Sequence, residues 1–345
     1  MLTRFLLFTA GLTLILFVYS CEKEKVKEFK GDFQPETAVA EIFLAPPLSE
    51  RWSEISGLDW HGDKLVFLPQ YPDRFESDSD GLLFYIGKKQ IEAYLDDKNS
   101  SALVSENINL NCRWLNDQID GFQGFEAIAF RDSVAYLAIE ANNDTMSGYL
   151  VMGIVKDNLK SIALHENKIV SIPMPVQIRN TAFETLMITD RFVVAVYEAN
   201  GKNVNPTAHA VFFDFQLNFV GELPFPAIEY RITDATRINK DSTFWVSNYF
   251  FNKEIDRYNP ADDVLEEKYG KGKTHYRFSF SERLINLKLG PDGIEYGPLP
   301  PLQIELVSDA DQRNWEGLVI LPGRGFLIVT DKFPRTIFGF IPFAL

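Results

Sequence analysis

Cysteine and histidine are scarce in this chain of 345 residues, which has two Cys and four His. Cys21 lies near the N-terminus, so Cys112 has no partner in the rest of the chain for an internal disulfide. The His residues are scattered and lack the spacing of a zinc site or a His-based catalytic group. Packing must therefore stabilise the fold, and zinc chemistry is not indicated.

Positive charge is also in short supply, because 34 Lys and Arg stand against 48 Asp and Glu and give a net charge of −14. A general nucleic-acid binder needs a basic surface, and this balance excludes one. No Gly-rich phosphate loop or nucleophile elbow is present. In contrast, 46% of the residues are hydrophobic, so the chain can bury a sizeable core.

The N-terminal segment has the pattern of a secretory signal. Arg4 precedes an uncharged apolar run over 5–19, and the small Ser20 leads to Cys21. The sequence Val-Tyr-Ser-Cys at 18–21 resembles a bacterial lipobox, which implies cleavage before Cys21 and a diacylglycerol lipid with acyl chains such as palmitate on its thiol. A plain signal peptide and a short membrane anchor are the alternatives, although the run is slightly short to span hydrocarbon.

This resemblance predicts three regions: a signal peptide over 1–20, a lipidated flexible tether over 21–36 and a single domain over 37–345. The tether is polar and rich in Lys and Glu. The lipid on Cys21 predicts that the membrane is a partner. We expect a monomeric lipoprotein of a Gram-negative cell envelope, at the outer membrane, facing either the periplasm or the cell surface.

Short runs of Val, Ile, Phe and Tyr, separated by Gly, Asp, Asn and Pro, recur along the rest of the chain, as at 135–139 and 192–196. No long segment has a convincing helical period. This pattern predicts an all-β fold. Residues 38–44 also form such a run and are expected to pair with the last blade described below, closing the ring and covering a sheet edge.

One hairpin pattern recurs five times: a polar or acidic residue, a small residue, usually an aliphatic one, then an apolar stretch, a turn and a second strand. The copies begin at Ser56, Glu126, Glu184, Asp234 and Glu316. Their intervals of roughly fifty to eighty residues each hold about four strands, which is one propeller blade. The repeats predict a β-propeller of five four-stranded blades, and a sixth blade fits in the gap over 70–126 or over 248–316. A β-sandwich gives no reason for an acid at one repeated offset.

Each repeat carries a second polar residue at the end of its second strand, fourteen or fifteen positions after the first. Both positions lie at the same end of an antiparallel hairpin, so the repeats predict two concentric polar rings at one mouth of the channel. The inner ring is Ser56, Glu126, Glu184, Asp234 and Glu316, and the outer ring is Gln70, Glu140, Glu198, Asn248 and Asp331.

Crowded carboxylates repel one another, so either some are protonated or a cation neutralises them. Oxygen ligands without Cys or His suit Ca²⁺, with Mg²⁺ or Mn²⁺ as alternatives. The predicted metal ligands are Glu126, Glu184, Asp234, Glu316, Asn248 and Asp331. In the alternative interpretation the acids cap the channel and bond to water and to backbone N–H groups.

These hairpins resemble the gluconolactonase/regucalcin-type propellers and, more closely, the phytase-like esterase domain of exported bacterial propellers. Glu316-Gly317-Leu318 with Asp331, and Glu126-Ala127-Ile128 with Glu140, carry the resemblance. It implies a metal-dependent hydrolase of a phosphoester or a lactone. Glu140 or Glu198 is then the candidate general base, if burial raises its pKa. Ser56, Thr185 and Ala235 depart from the pattern of an acid followed by Gly.

Arg231 and Arg313 each lie three residues before an inner-ring acid, and Arg179 lies five before one. At the same mouth they could hold the phosphate or carboxylate of a small anionic substrate, or pair with the ring acids instead. The charged residues 252–280 predict an insertion, either a lid over the channel or a solvated loop. A second function stays open, a non-enzymatic surface propeller that binds a glycan, a peptide or an envelope protein.

Overall fold

β-Strands are the dominant regular structure of this chain, of which the computed structural model describes residues 33–75, 80–97 and 101–344. In chain order the strands are β1 (Glu36–Thr37), β2 (Ala40–Ile42), β3 (Ile55–His61), β4 (Lys64–Pro69), β5 (Leu82–Gly87), β6 (Glu106–Leu110), β7 (Phe122–Arg131), β8 (Val134–Asn143), β9 (Thr145–Lys156), β10 (Ser161–Ile172), β11 (Thr185–Ile188), β12 (Val193–Val196), β13 (His209–Phe213), β14 (Phe219–Pro224), β15 (Arg231–Ala235), β16 (Thr243–Phe250), β17 (Ser281–Gly290), β18 (Gly293–Tyr296), β19 (Leu302–Ile304), β20 (Trp315–Leu321), β21 (Gly325–Thr330) and β22 (Phe338–Pro342). The helices are short: α1 (Lys88–Asp96), α2 (Leu115–Gln118), α3 (Ile255–Tyr258), α4 (Val264–Tyr269) and α5 (Lys273–Arg277), with 3₁₀ turns at Arg51–Ser53, Pro72–Arg74 and Asn252–Glu254. The predicted all-β class is confirmed.

The strands pair in meanders of four. β11 to β14 form one sheet, and β20, β21 and β22 with β2 form another. β15, β16 and β17 form a third, in which β17 pairs with both β18 and β19. The remaining eight strands make one sheet, because the meander β3–β6 joins the meander β7–β10 through a parallel pairing of β6 with β10.

The first strands of these meanders contact one another in a closed cycle. β3 lies against β7, β7 against β11, β11 against β15 and β15 against β20, and β20 returns to β3. Apolar side chains fill the space between neighbouring sheets; for example, Leu58 and Phe67 of the first meander share a buried cluster with Val319 and Phe338 of the last. The architecture is therefore β-propeller-like, with the first strands surrounding a central channel.

The N-terminal part of the domain supplies an outer strand to the last sheet. β2 pairs antiparallel with β22, with Ala40 opposite Phe340 and Ile42 opposite Phe338. Arg335 binds both carboxylate oxygens of Glu41 at 2.6 and 2.7 Å beside this pairing. The N-terminal run thus lies beside the C-terminal strand β22.

Contacts with the domain begin a few residues before residue 37, where the sequence predicts the start of the domain. Residues 33–36, predicted as tether, pack against the domain, because Glu36 pairs with β19 and its carboxylate accepts hydrogen bonds from the backbone N–H and the hydroxyl of Thr274. The same carboxylate lies 2.9 Å from Nδ1 of His275. The signal peptide, Cys21 and the remainder of the tether lie outside the described residues.

A register shift recurs near the start of the first strands. In β3, β15 and β20 the strand pairing skips one residue, which is Ser56, Thr233 and Glu316 respectively. In β7 it skips two, Gln123 and Glu126. In β11 the equivalent residue is Glu184, directly before the first paired residue Thr185. Such β-bulges bend the strand and turn the extra side chain away from the regular alternation.

Residues 251–280 interrupt the third meander between β16 and β17, where the sequence predicts an insertion. The segment is largely helical and packed, so it is not simply a solvated loop. Tyr258 of α3 and Leu265 of α4 are buried. Asp263 begins α4, with its carboxylate accepting a hydrogen bond from the N–H of Leu265 at 2.9 Å.

Gly317→Ala should destabilise the contact between β20 and β3, which completes the cycle of first strands. A Cβ at this position would lie 2.6 Å from both Leu58 Cγ and Val329 Cγ1, so packed side chains must move. We expect the free energy of unfolding in urea to fall by about 1–3 kcal/mol. Gly87→Ala is the control, because its Cβ would meet only the flexible end of Gln90 at 3.3 Å. Equal stability of the two variants would contradict this account of the glycine.

Candidate metal centre

A cavity of about 550 Å³ opens at the end of the channel where the first strands begin. Loops before the first strands, the ends of the second strands and the start of the insertion form its walls. Charged and polar residues dominate the lining. They include the acids Glu126, Glu140, Glu184, Glu254, Glu316 and Asp331, the cations Arg231, Lys253, Arg257 and Lys332, and the amides Gln70, Asn180, Gln312 and Asn314.

Three inner-ring acids meet on the floor of this cavity. Each of Glu126, Glu184 and Glu316 offers a carboxylate oxygen, and these oxygens lie within 4.8 Å of one another. All three side chains are more than nine-tenths buried. The bulges in β7 and β20 and the position of Glu184 just before β11 aim the side chains at one point.

The neighbours of these acids leave oxygen atoms free. Glu126 accepts a hydrogen bond from Nε2 of Gln70 at 3.0 Å, and Glu316 accepts one from the Tyr249 hydroxyl at 3.3 Å. Oε2 of Glu184 has no hydrogen-bond partner among the described residues. An unpartnered carboxylate oxygen in a buried site costs free energy, so this atom is an available ligand.

Asp234, predicted as the inner-ring acid of its repeat, does not reach the cavity. The bulge shifts the alignment by one residue, so Thr233 takes the ring position. The Asp234 carboxylate instead accepts hydrogen bonds from the N–H groups of Leu318 at 2.7 Å and Ala235 at 2.8 Å. Asp234 therefore ties β15 to β20 and is not placed as a metal ligand.

The two hydroxyl members of the inner ring hold backbone carbonyls. Ser56 donates to the carbonyl of Phe125 at 2.7 Å, and Thr233 donates to the carbonyl of Trp315. Each acceptor directly precedes a cavity glutamate, Glu126 in one case and Glu316 in the other. The hydroxyl members thus position the neighbouring acids.

The outer ring also differs from the prediction in the third meander. Gln70, Glu140 and Asp331 line the cavity. Asn248 does not, because its side chain donates to the carbonyls of Glu229 and Arg231 and accepts a hydrogen bond from Arg283. The bulge moves the rim position to Tyr249, whose hydroxyl contacts Glu316.

Arg231 and Glu198 form a buried ion pair, so neither is free for the role predicted from the sequence. The guanidinium group of Arg231 contacts Glu198, lies 3.1 Å from Oε1 of Glu184 and lies 3.8 Å from Oε2 of Glu254. Glu198 also accepts a hydrogen bond from the Tyr258 hydroxyl at 2.8 Å. Glu198 is fully buried behind the lining, which argues against it as the general base.

The other two predicted substrate-binding arginines lie away from the cavity. Arg313 pairs with the carboxylate of Glu282 at 2.8 Å and donates to the carbonyl of Glu305. Arg179 is exposed and not among the lining residues. The cations at the mouth are instead Lys253, Arg257 and Lys332. Lys332 follows Asp331 directly, and the other two begin the charged insertion, so chain position alone could have suggested them.

Burial and mutual repulsion shift the pKa of the cavity acids upwards. Burial, followed by the neighbouring Asp331, raises the pKa of Glu316 to about 8. Burial and Glu198 raise the pKa of Glu140 to about 7, and burial raises that of Asp331 to about 6. Burial also raises the pKa of Glu126 and of Glu184, although Arg231 opposes the shift at Glu184. The cavity therefore has too little positive charge beside its carboxyl groups to keep all of them ionised at neutral pH.

The opposite end of the channel holds a larger cavity of about 890 Å³, among the hairpin turns. Its buried carboxylate, Asp59, is already paired, because the more exposed Arg237 binds both of its oxygens at 2.9 Å. Size alone does not mark a functional site, and the carboxylate cavity has the stronger chemical features.

Comparison with known proteins assigns no family to this chain. No family model and no curated protein matches it. Similar solved structures include a GH43_1 enzyme from Xanthomonas citri, at 9% identity over 89% of this chain and 91% of that one, with a TM-score of 0.47. A GH43 β-xylosidase/α-arabinofuranosidase from a compost microbial metagenome, described in a calcium-free form, has 8% identity over 87% and 94%, with a TM-score of 0.47. A glucose dehydrogenase has 9% identity over 89% and 99%, with a TM-score of 0.41.

These similarities are too distant to inform the activity, so the class of the protein follows from its own strand pairing and side chains. It is an all-β, propeller-like protein whose channel ends in a buried carboxylate cavity. In the described part of the chain, no helix has the length and apolar character that crossing a membrane requires.

The raised pKa values predict that, with divalent ions removed, stability falls as pH rises. Between pH 4.5 and about 8 the folded protein holds protons that the unfolded chain has released, so the free energy of unfolding decreases through this window. Urea unfolding in EDTA across this range measures the slope. Glu316→Gln should flatten it and Glu222→Gln, an exposed control on β14, should not. An unchanged slope in Glu316→Gln would contradict the assignment.

Proposed function

We propose that this protein is a membrane-anchored, extracytoplasmic hydrolase that uses a divalent metal ion, Ca²⁺ in the first instance and Mg²⁺ or Mn²⁺ otherwise. The observation that carries the proposal is the meeting of Glu126, Glu184 and Glu316, whose oxygens lie within 4.8 Å in a buried cavity. The free Oε2 of Glu184 fits a cation with oxygen ligands.

The remaining cavity residues have roles around such an ion. A divalent ion held by these three glutamates would polarise a substrate oxygen and make a water more acidic. Glu140 lines the cavity and has a pKa raised to about 7, so at neutral pH it can accept a proton from the attacking water. Asp331, beside Glu316, is a further oxygen ligand or a second base.

The mouth of the cavity favours a phosphoester over a lactone. Lys253, Arg257 and Lys332 come from two segments and surround the opening above the acidic floor. Lys332 pairs with Glu54 at 3.0 Å and Arg257 with Glu254 at 2.7 Å, while Lys253 has no ion pair among the described residues. Partly exposed cations of this kind suit the anionic group of a small substrate.

A second candidate function is a binding module without catalysis. Tyr71, Phe251 and Phe333 line the same cavity, together with the side-chain amides of Asn180 and Asn314. Aromatic faces and amides can hold a glycan or a peptide without any ion. Binding of such a ligand that does not change when EDTA is added would favour this function over the hydrolase.

We also propose that the propeller has five blades and that the N-terminal strand closes it. The closed cycle β3, β7, β11, β15 and β20 supports five blades. The pairing of β2 with β22 supports closure of the last blade by the N-terminal strand. The gaps that could have held a sixth blade contain β5, β6, β17 to β19 and the short helices.

The lipoprotein assignment remains part of the proposal. The lipobox-like residues 18–21 support a lipid on Cys21, and with it an outer-membrane location facing the periplasm or the cell surface. In that setting the protein would act as a monomer on a small anionic substrate at the cell envelope.

Removal of divalent ions tests the metal site. We expect the soluble fragment from residue 31 to melt at a lower temperature in EDTA and to recover with Ca²⁺, Mg²⁺ or Mn²⁺. An ion at a hundred times its Kd should add about 2.7 kcal/mol of stability. Glu126→Gln should abolish this response, because it removes one of the three charges. No shift with any ion would refute the metal-dependent hydrolase.

Turnover needs a separate variant. Glu140→Gln should keep the ion-dependent shift in melting temperature but lose hydrolysis of phosphoesters by at least about a hundredfold, the usual contribution of a general base. A panel of phosphoesters and lactones, assayed with the ion that restores stability, identifies the reaction class. Full turnover in Glu140→Gln would exclude this residue as the base.

Cys21→Ser tests the anchor. In a Gram-negative host the full chain should incorporate labelled palmitate and fractionate with membranes, and the variant should do neither, because the thiol is the attachment point. Retention of both label and membrane association in Cys21→Ser would refute the lipoprotein assignment.

A further inference from the structure

The charge around the cavity floor is asymmetric. Towards the β11–β15 side, the guanidinium group of Arg231 contacts both Glu184 and Glu198. Towards the β7–β20 side, Glu126 and Glu316 have only neutral hydrogen-bond partners, Gln70 and Tyr249. One side therefore contains its own cation and the other contains none in direct contact.

The backbone fixes Arg231 in this place. It is the first residue of β15 and pairs with Tyr249, just as Gly124 of β7 pairs with Glu140. The position that Gly124 occupies in β7 is thus occupied by Arg231 in β15. Its carbonyl accepts a hydrogen bond from Asn248 at 2.8 Å, and its guanidinium group packs 5.1 Å from the centre of the Tyr249 ring.

One carboxylate oxygen of Glu198, Oε1, has two partners. Besides the contact with Arg231, its Oε1 accepts the Tyr258 hydroxyl at 2.8 Å. The side chain is fully buried and lies outside the cavity lining. Oε2 of Glu184 and Oε2 of Glu198 both lack a hydrogen-bond partner among the described residues, but only Glu184 lines the cavity. Glu184 uses its Oε1 for Arg231.

We propose that Arg231 occupies the position of a second cation, so that the site takes a single divalent ion on the side of Glu126 and Glu316. Glu184 joins the two halves, with one oxygen on Arg231 and the other available to the ion. Glu198 forms the ion pair with Arg231 and is not a metal ligand. This inference rests on the proposed metal site and adds its stoichiometry and its ligand set.

The first measurement is the number of ions bound to the wild-type fragment, by equilibrium dialysis against Mn²⁺ and against Ca²⁺ with metal analysis of the protein. One ion per chain is the expected result. Two tightly bound ions would overturn the role of Arg231 while leaving the metal site intact. No bound ion would overturn the metal site and this inference with it, so the two failures are distinguishable.

Two conservative variants then test the ligand set by calorimetric titration. Glu316→Gln should weaken ion binding by at least about tenfold, whereas Glu198→Gln should leave the Kd within about threefold of the wild type. A loss in Glu198→Gln equal to that in Glu316→Gln would overturn the proposal, because Glu198 would then be a ligand.

Arg231→Met tests the cation itself. It leaves Glu184 and Glu198 without their counter-charge, so the difference in melting temperature between the ion-loaded and the EDTA-treated protein should grow beyond that of the wild type. Arg313→Met is the matched control: it breaks a buried pair with Glu282 away from the cavity and should lower stability without changing that difference. An unchanged difference in Arg231→Met would overturn the proposal.

If Arg231→Met does not fold, the double variant Arg231→Met with Glu198→Gln removes both partners of the buried pair. It should fold, bind ion through Glu126, Glu316 and the released Glu184, and bind it more tightly than the wild type. Weaker binding than in the wild type would show that Arg231 supports the ion site and would overturn the proposal.

Discussion

The burial of like charge at one end of the channel is the constraint on which the rest of the site depends. Glu126, Glu140, Glu184, Glu198 and Glu316 are all buried there. Each carboxyl group must hold a proton, pair with a cation or accept strong hydrogen bonds, because an isolated buried charge is too costly. Arg231 supplies the counter-charge for two of these groups, Glu184 and Glu198. Removing one partner of such a buried pair typically costs about 3–5 kcal/mol, so the arginine and its glutamates act as one unit.

Backbone irregularity brings these charges together. A regular strand alternates its side chains between two faces, which would place only every second residue at the channel. Each of β3, β7, β15 and β20 has a bulge near its start that adds a residue at the ring position, and β7 has a second bulge before it. Where the added residue is Ser56 or Thr233, its hydroxyl donates a hydrogen bond to a backbone carbonyl of the neighbouring first strand in the ring. The same irregularity thus supplies both the acids and the bonds that position them.

Much of the fold was predictable because the hairpin repeats, and a repeated polar residue at a fixed offset identifies one rim. The convergence of Glu126, Glu184 and Glu316 follows from that offset. The repeat pattern misplaces Asp234 because a bulge changes the alignment by one residue, and the sequence pattern does not reveal a bulge. Arg231 and Arg313 have the same spacing before an acid, yet one enters the cavity and the other pairs with Glu282. That difference depends on partners distant in sequence, which spacing cannot show.

The insertion links the floor of the cavity to its mouth. Glu254 contacts Arg257 at 2.7 Å at the opening and Arg231 at 3.8 Å towards the floor. An anion that draws Arg257 away from Glu254 would leave that carboxylate to interact with Arg231, weakening the hold of Arg231 on Glu184. The released oxygen would then bind a cation more tightly. By linkage, a cation on the floor must strengthen anion binding at the mouth by the same factor. A substrate anion and a metal ion would therefore bind cooperatively through one shared carboxylate. Tyr258 of the same insertion donates a hydrogen bond to Glu198, so the folding of the insertion is linked to the buried pair of Glu198 with Arg231.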